Sequence, residues 1–207
     1  MTPLLTAVCL ALGAYLLGSV SSSIVISVAR FGSDIRRHGS GNAGATNMAR
    51  TYGLWEGILT LLADFAKALI SACVGARLLG DVGVAVAGLA CLAGHCYPVF
   101  FKFKGGKGVS VGAALGLAIG WQVLLIIAAV FLAVALLTKK VSAGSVCAAA
   151  SLIVTVFVLP VSVPLQVMAV SAALLVIARH RGNIRRLLDG TEPDFRAKIR
   201  GKKQGTE

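Results

Sequence analysis

Apolar positions along this chain come in unbroken blocks, with neither the 3.6-residue spacing of an amphipathic helix nor the alternation of a half-buried strand. Five such blocks cover residues 3–29, 53–76, 82–101, 109–138 and 141–178. A helix rises ~1.5 Å per residue and the hydrocarbon layer is ~30 Å thick, so about 20 apolar residues make one crossing. Every block meets that length. The pattern predicts an all-α, polytopic membrane bundle forming a single domain over 1–207, with no soluble domain and no internal repeat. The first block has no Lys or Arg before it and exceeds a signal-peptide core, so it is expected to remain as a span. The last holds Pro160 and Pro164, which remove helix donors and suit a turn, so it is expected to fold as two spans. As one helix, 109–138 would run roughly 45 Å, and Gly112, Gly116 and Gly120 offer places to break it.

Charge decides the count. Lys and Arg collect in cytoplasmic loops because they resist translocation. Here they lie at 30–50, 102–107, Lys139–Lys140 and from Arg179 to Lys203. With an external N-terminus and 109–138 as a helical hairpin, all these groups fall inside. This predicts seven transmembrane helices and a cytoplasmic C-terminus; five spans, with 141–178 as one bent crossing, is the alternative. From His180 onward the sequence suggests a short amphipathic helix and then a disordered basic end.

Composition agrees with a lipid-embedded chain: 57% hydrophobic and only 14% charged, yet with a formal charge of +12. A soluble domain of this size is excluded. The charge fits orientation and contact with anionic lipid, so membrane lipids are expected partners and nucleic acid is not. The five cysteines lie in apolar blocks without metal-ligand spacing; they read as small buried hydrophobes, and neither metal nor cofactor is expected.

Three loops carry residues that a turn does not need. In the first, Gly39, Gly41 and Gly44 allow close backbone approach to an anion, joined by Ser40, Asn42, Thr46, Asn47 and the forked cation Arg50. Its G-x-G-x-x-G pattern follows a membrane helix rather than a strand, so a dinucleotide site is rejected. In the second, Gly105, Gly106 and Gly108 surround Lys107, with Lys104 and His95 upstream. It resembles a P-loop only superficially, because Phe101 holds the place of the first glycine and Gly108 that of the hydroxyl residue. In the third, His180 and Asn183 are three apart and share a helix face, with Arg186 and Glu192 beyond. An imidazole at a membrane boundary is suited to orienting or relaying a proton near neutral pH, whereas Arg185 reads as an interfacial anchor. Within the second span Asp64 and Lys67 are positioned to pair, and Ser142 lies beside Lys139 and Lys140.

These loops, in this order, resemble the bacterial acyl-phosphate:glycerol-3-phosphate acyltransferases. The matching runs are 39–47 with Arg50, Gly94-His-x-x-Pro98 through 104–108, and His180-x-x-Asn-Ile184 with Arg186, Leu187, Gly190 and Glu192, together with Asp64/Lys67 and Val141-Ser142. The likeness covers essentially the whole chain. Departures are Ser110-Val111 and Ala68, where the family often has Ala-Thr and Gly; they touch span packing rather than chemistry.

The resemblance implies transfer of a fatty acyl group from acyl phosphate to the 1-hydroxyl of sn-glycerol 3-phosphate, at the cytoplasmic face of the bacterial inner membrane. Products are lysophosphatidic acid and phosphate, in the first step of phospholipid synthesis. It also implies seven spans, no cofactor and no acyl-CoA, and the chain is expected to act as a monomer. No His is followed five residues later by Asp, the acid–base pair of acyltransferases with soluble donors: Ala43, Phe100 and Arg185 stand there. His180, Asn183, Lys104 and Ser142 are expected as catalytic residues. Ser40, Gly41, Asn42, Gly44, Thr46, Asn47, Arg50, Gly105, Gly106, Lys107, Gly108, His95 and Glu192 are expected to bind substrate. Lys104 and Arg50 would take glycerol phosphate, and the 40–46 loop with Lys107 the donor phosphate. The family's proposed mechanism is substrate-assisted, the donor phosphate taking the hydroxyl proton; His180 as base is the alternative. Two other classes remain: an organic-phosphate transporter, which predicts broken helices near the midplane, and a lipid-binding scaffold, which leaves Asn42, Asn47, His180 and Asn183 without a purpose.

Overall fold

The computed structural model describes residues 2–195; the expected disordered end, 196–207, lies outside the described residues. Helix α1 (Pro3–Ser19) starts on a Thr2 cap with Pro3 in its first turn, and α2 (Ser22–Phe31) follows almost at once. The block expected as one span over 3–29 stands as one candidate span, Pro3–Phe31, interrupted at Val20–Ser21. The run Ser19-Val20-Ser21-Ser22-Ser23 explains the break, because serine hydroxyls compete with helical backbone bonds. The ammonium of Lys67 satisfies the exposed carbonyls, donating to Gly18 O at 3.0 Å and Val20 O at 2.8 Å.

After the short α3 (Ala45–Thr51), α4 (Leu54–Cys96) runs 43 residues, about 64 Å at 1.5 Å per residue and twice the bilayer core. It is not straight. Leu79 and Gly80 leave helical geometry, with Gly80 at φ 57°, and the arms fold back on each other. A Cβ on Gly75 would lie 2.2 Å from Gly83 O, so the backbones touch through glycine. The same device seats α1: a Cβ at Gly18 would strike Cys91 O, and one at Gly94 would strike Tyr15 O, each at 2.2 Å. The blocks 53–76 and 82–101 are thus one hairpin with its apex at Leu79–Gly80.

Stretch 109–138 breaks at Gly120 into α5 (Val109–Ile119) and α6 (Trp121–Thr138), with Gly116 packed on Ile127. The chain then reverses at Lys139–Lys140 into α7 (Val141–Val158), and around Pro160 into α8 (Val163–Arg179). The pair of helices expected over 141–178 is present. Four helical stretches, Pro3–Phe31, Leu54–Phe101, Trp121–Thr138 and Val141–Val158, are long and apolar enough to cross a membrane, or five if α8 and the short α9 (Arg181–Leu188), bent by 59°, count as one. α5 has only 11 residues, roughly 16 Å. The described residues contain no strand.

Exposure is inverted relative to a soluble protein. Leu132, Leu136 and Leu137 of α6 are 54–84% exposed, as lipid-facing leucines should be. The interior packs small side chains (Ala68, Ala72, Ala87, Ala114 and Ala172) around Leu92, Leu115 and Met168, which lets α1, α4, α5 and α8 approach closely. The α2–α3, α4–α5 and α6–α7 loops and the residues that follow α8 meet around one cleft.

Candidate active site

One cleft of about 1040 Å³ opens among those loops, lined from segments 34–50, 102–110, 141–145 and 179–193, with Leu61, Asp64, His95 and Phe131. Every residue expected at a site lines it except Gly106. The α2–α3 loop is folded by Asn47, which is 1% exposed. Its amide donates to His38 O and Asn42 O at 3.0 Å and to Ile35 O at 3.3 Å, while its oxygen accepts from Ser40 N at 3.0 Å. With both ends engaged, Asn47, expected to bind substrate, shapes the loop from the cleft wall. Gly39 (φ 58°) and Gly41 (φ 72°) supply left-handed backbone in the same turn. Gly44 caps α3 without a side-chain bond and lines the cleft beside Ala45 and Thr46. Arg50 faces the cleft with Nε buried and unpartnered; one Nη lies 3.5 Å from the carbonyls of Pro193 and Asp194.

The glycine–lysine loop is squeezed against the end of α4. Gly105 N donates to Cys96 O and Gly106 N to His95 O, and a Cβ on Gly106 would lie 2.2 Å from His95 Nε2. Gly106, expected to bind substrate, is packed against His95 and does not line the cleft. Two arginines that no sequence signal singled out pin this loop. Arg36, held by Asp34, donates to Phe101 O at 2.8 Å and Lys104 O at 3.1 Å. Arg179 donates to Gly105 O and Gly106 O. Asp34-x-Arg36 and the adjacency of Arg179 to His180 are the only marks such roles leave in the sequence.

Lys107 donates to Asn183 Oδ1, and Asn183 Nδ2 donates to Glu192 Oε1 at 2.6 Å. The same carboxylate accepts from Ser142 Oγ at 2.7 Å and Arg186 Nε at 2.8 Å. Burial alone would raise the Glu192 carboxyl, but these three hydrogen bonds hold it below its ordinary value. A carboxylate so engaged repels phosphate. Glu192, expected to bind substrate, lines the cleft and positions Ser142, Asn183 and Arg186. Lys107 is pushed down to about 8, chiefly by burial, which Arg186, Arg50 and Arg179 reinforce and Glu192 opposes. His180 is pushed down to about 4, chiefly by burial. Its Nδ1 donates to Val176 O at 2.8 Å, which leaves the Nε2 lone pair as the free end of a neutral ring. Lys104 is exposed at the rim and carries no ion pair among the described residues.

Asp64 and Lys67 pair as expected, at 2.9 Å, with Asp64 also accepting from Ser22 Oγ at 2.8 Å and His95 Nδ1 3.6 Å away. No group of His, Cys, Asp and Glu fit to hold a metal occurs among the described residues.

Several comparisons bear on this geometry. The family model described as glycerol-3-phosphate acyltransferase matches residues 8–190. The glycerol-3-phosphate acyltransferase of Geotalea daltonii is 45% identical over 190 residues, 90% of this chain and 96% of its own length. That of Syntrophotalea carbinolica is 40% identical over 188 residues, with the same coverage. The crystal structure of PlsY (YgiH), an integral membrane glycerol 3-phosphate acyltransferase, in its glycerol 3-phosphate form superposes with TM-score 0.88 at 40% identity, covering 92% of this chain and 96% of that one. Its lysophosphatidic acid form gives 0.85 at 38% identity, covering 91% and 95%. Matching over nine-tenths of its length both in sequence and in fold, the chain belongs to the family of integral membrane glycerol-3-phosphate acyltransferases.

Proposed function

We propose that the cleft transfers a fatty acyl group from acyl phosphate to the 1-hydroxyl of sn-glycerol 3-phosphate. The observation that carries this reading is the meeting of three distant loops around one cleft with Arg50, Lys104, Lys107 and Arg186 on its walls. Two phosphates need such a density of donors, and a turn between spans does not. Lys104 and Arg50 hold glycerol phosphate, aided by Ser142, His180 and Asn183. The 40–46 loop and Lys107 hold the donor phosphate. The glycerol hydroxyl oxygen attacks the acyl carbon, the bond from that carbon to the phosphate oxygen breaks, and the departing phosphate takes the hydroxyl proton. Lysophosphatidic acid and phosphate result. A mixed anhydride is already activated, so positioning and charge stabilisation suffice, without a cofactor.

The low pKa of His180 supports this route over His180 as base: near pH 7 a ring of pKa about 4 is neutral but a weak proton acceptor. Its free Nε2 accepts a hydrogen bond from the hydroxyl and aims it. Relatives bear the name glycerol-3-phosphate acyltransferase, and one is known in glycerol 3-phosphate and lysophosphatidic acid forms, which supports both the acceptor and the product.

The same reading has seven crossings, an external N-terminus and a cleft facing the cytoplasm of a bacterial inner membrane, in a protein that works as a monomer surrounded by lipid. Its support is the chain reversals at Leu79–Gly80, Gly120, Lys139–Lys140 and Pro160, combined with the basic residues at the cleft end. The purified protein, given palmitoyl phosphate and labelled glycerol 3-phosphate, is expected to yield labelled lysophosphatidate, and palmitoyl-CoA to yield none. Uptake of the phosphate without product would favour the transporter reading. Lipid binding with neither would favour the scaffold.

A further inference from the structure

Arg179 ends the last long helix with its guanidinium beside the phosphate-binding loop, yet it is turned toward peptide carbonyls. Nε donates to Gly106 O at 3.2 Å, and one Nη donates to Gly105 O at 3.3 Å and Gly106 O at 3.2 Å. The ring of Tyr97 lies 5.0 Å beneath it, fixing the plane of the fork. On the other side of the loop stand His95 O and Pro98 Cδ, which a Cβ on Gly105 would meet at 2.1 and 2.6 Å. The loop is therefore clamped between the end of α4 and Arg179, and glycine is required for it to fit.

The arrangement has an electrostatic consequence. A carbonyl oxygen carries partial negative charge, and two of them next to Lys107 would oppose an incoming phosphate. Arg179 masks both. Because each peptide is trans and planar, fixing the Gly106 carbonyl toward Arg179 also fixes the Lys107 N–H in the opposite direction. We infer that Arg179 is a positioning residue for the donor half of the site, setting and masking the Gly105 and Gly106 carbonyls so that the loop presents Lys107 and its amide to the phosphate of the acyl donor. This rests on the acyl-phosphate reading above. Arg179 lines the cleft as well, but its guanidinium serves the loop carbonyls, so it acts as a clamp rather than as a phosphate ligand or an interfacial anchor.

The test separates donor from acceptor. In Arg179→Ala the KM for palmitoyl phosphate is expected to rise about tenfold, the loss of one charge-assisted contact set, while the KM for glycerol 3-phosphate changes less than about twofold. Arg179→Lys keeps the charge but lacks the planar fork, so it falls between wild type and Arg179→Ala. It also serves as the readout if the alanine variant does not fold. Guanidinium at millimolar concentration is expected to recover part of the donor affinity of Arg179→Ala, which a purely structural role would not allow. An unshifted donor KM in both variants, or equal rises for both substrates, overturns the assignment. Inorganic phosphate binding by calorimetry repeats the test without turnover: weakened binding in the variants supports it and unchanged binding overturns it. Failure of wild-type protein to make lysophosphatidate would instead sink the acyl-transfer reading.

Discussion

Two clusters of charged residues adjoin the same cleft and behave in opposite ways. Within the helices, Lys67 meets Gly18 O, Val20 O and Asp64 Oδ1, three acceptors for three ammonium protons, and Asp64 takes a further bond from Ser22. That cluster is closed. In the cleft, Arg50 keeps a buried Nε without a partner, Lys104 stands free at the rim, and Lys107 has lost proton affinity to burial and neighbouring arginines. That cluster is open: none of these three cations forms an ion pair among the described residues. The same side chains serve two ends: closed, they repair a helix break that lipid would not tolerate; open, they leave cationic donors on the wall of a cleft.

The largest effect that would break this comparison is on stability. Asp64→Ala or Lys67→Met leaves one buried charge without its partner and is expected to destabilise the protein by about 3–5 kcal/mol, measured by unfolding in detergent. Removing both is expected to cost less than either alone. Unchanged stability in the single variants would mean the interior pair is not what closes the α1–α2 break. Next comes Lys104→Ala, for which kcat/KM is expected to fall about 10²-fold with the unfolding transition unmoved, since a cation proposed to hold the glycerol phosphate is lost but no packing is. A comparable drop in stability would place Lys104 in the closed class. The smallest is a pH effect. Lys107 is cationic below its pKa of about 8, and that charge is lost as pH rises through it. The donor KM is therefore expected to rise between pH 7 and 9, by at most about tenfold per unit beyond pH 8. Lys107→Arg should flatten the profile, and a flat wild-type profile would remove Lys107 from the donor site.

Much of the fold is legible in the sequence. Block lengths give the helices, proline and glycine mark the reversals at Pro160 and Gly120, and three-residue spacing foretells the Asp64–Lys67 pair. The site residues are visible because amides, glycines and cations crowd into short loops. What the sequence hid depends on long-range approach. Arg36 bonds carbonyls 65 and 68 residues away, and Arg179 reaches back 73 and 74. On the chain such arginines look like any others at a membrane surface. Glu192 looks like a ligand because it ends a polar motif, and only its three donors reveal that it orients others. The α1–α2 break was announced by the serine run, but the apolar block around it masked the signal.

The central claim is that segments far apart in sequence form one phosphate-gripping cleft on the cytoplasmic side. Single cysteines at Asn42, Lys102 and Gly182, all on the cleft wall, in a background with the native cysteines replaced, test it with a membrane-impermeant maleimide. All three are expected to react in inside-out vesicles, to stay unlabelled in right-side-out vesicles, and to be shielded by glycerol 3-phosphate. Labelling from the periplasmic side, or no shielding at any of the three, would contradict the account.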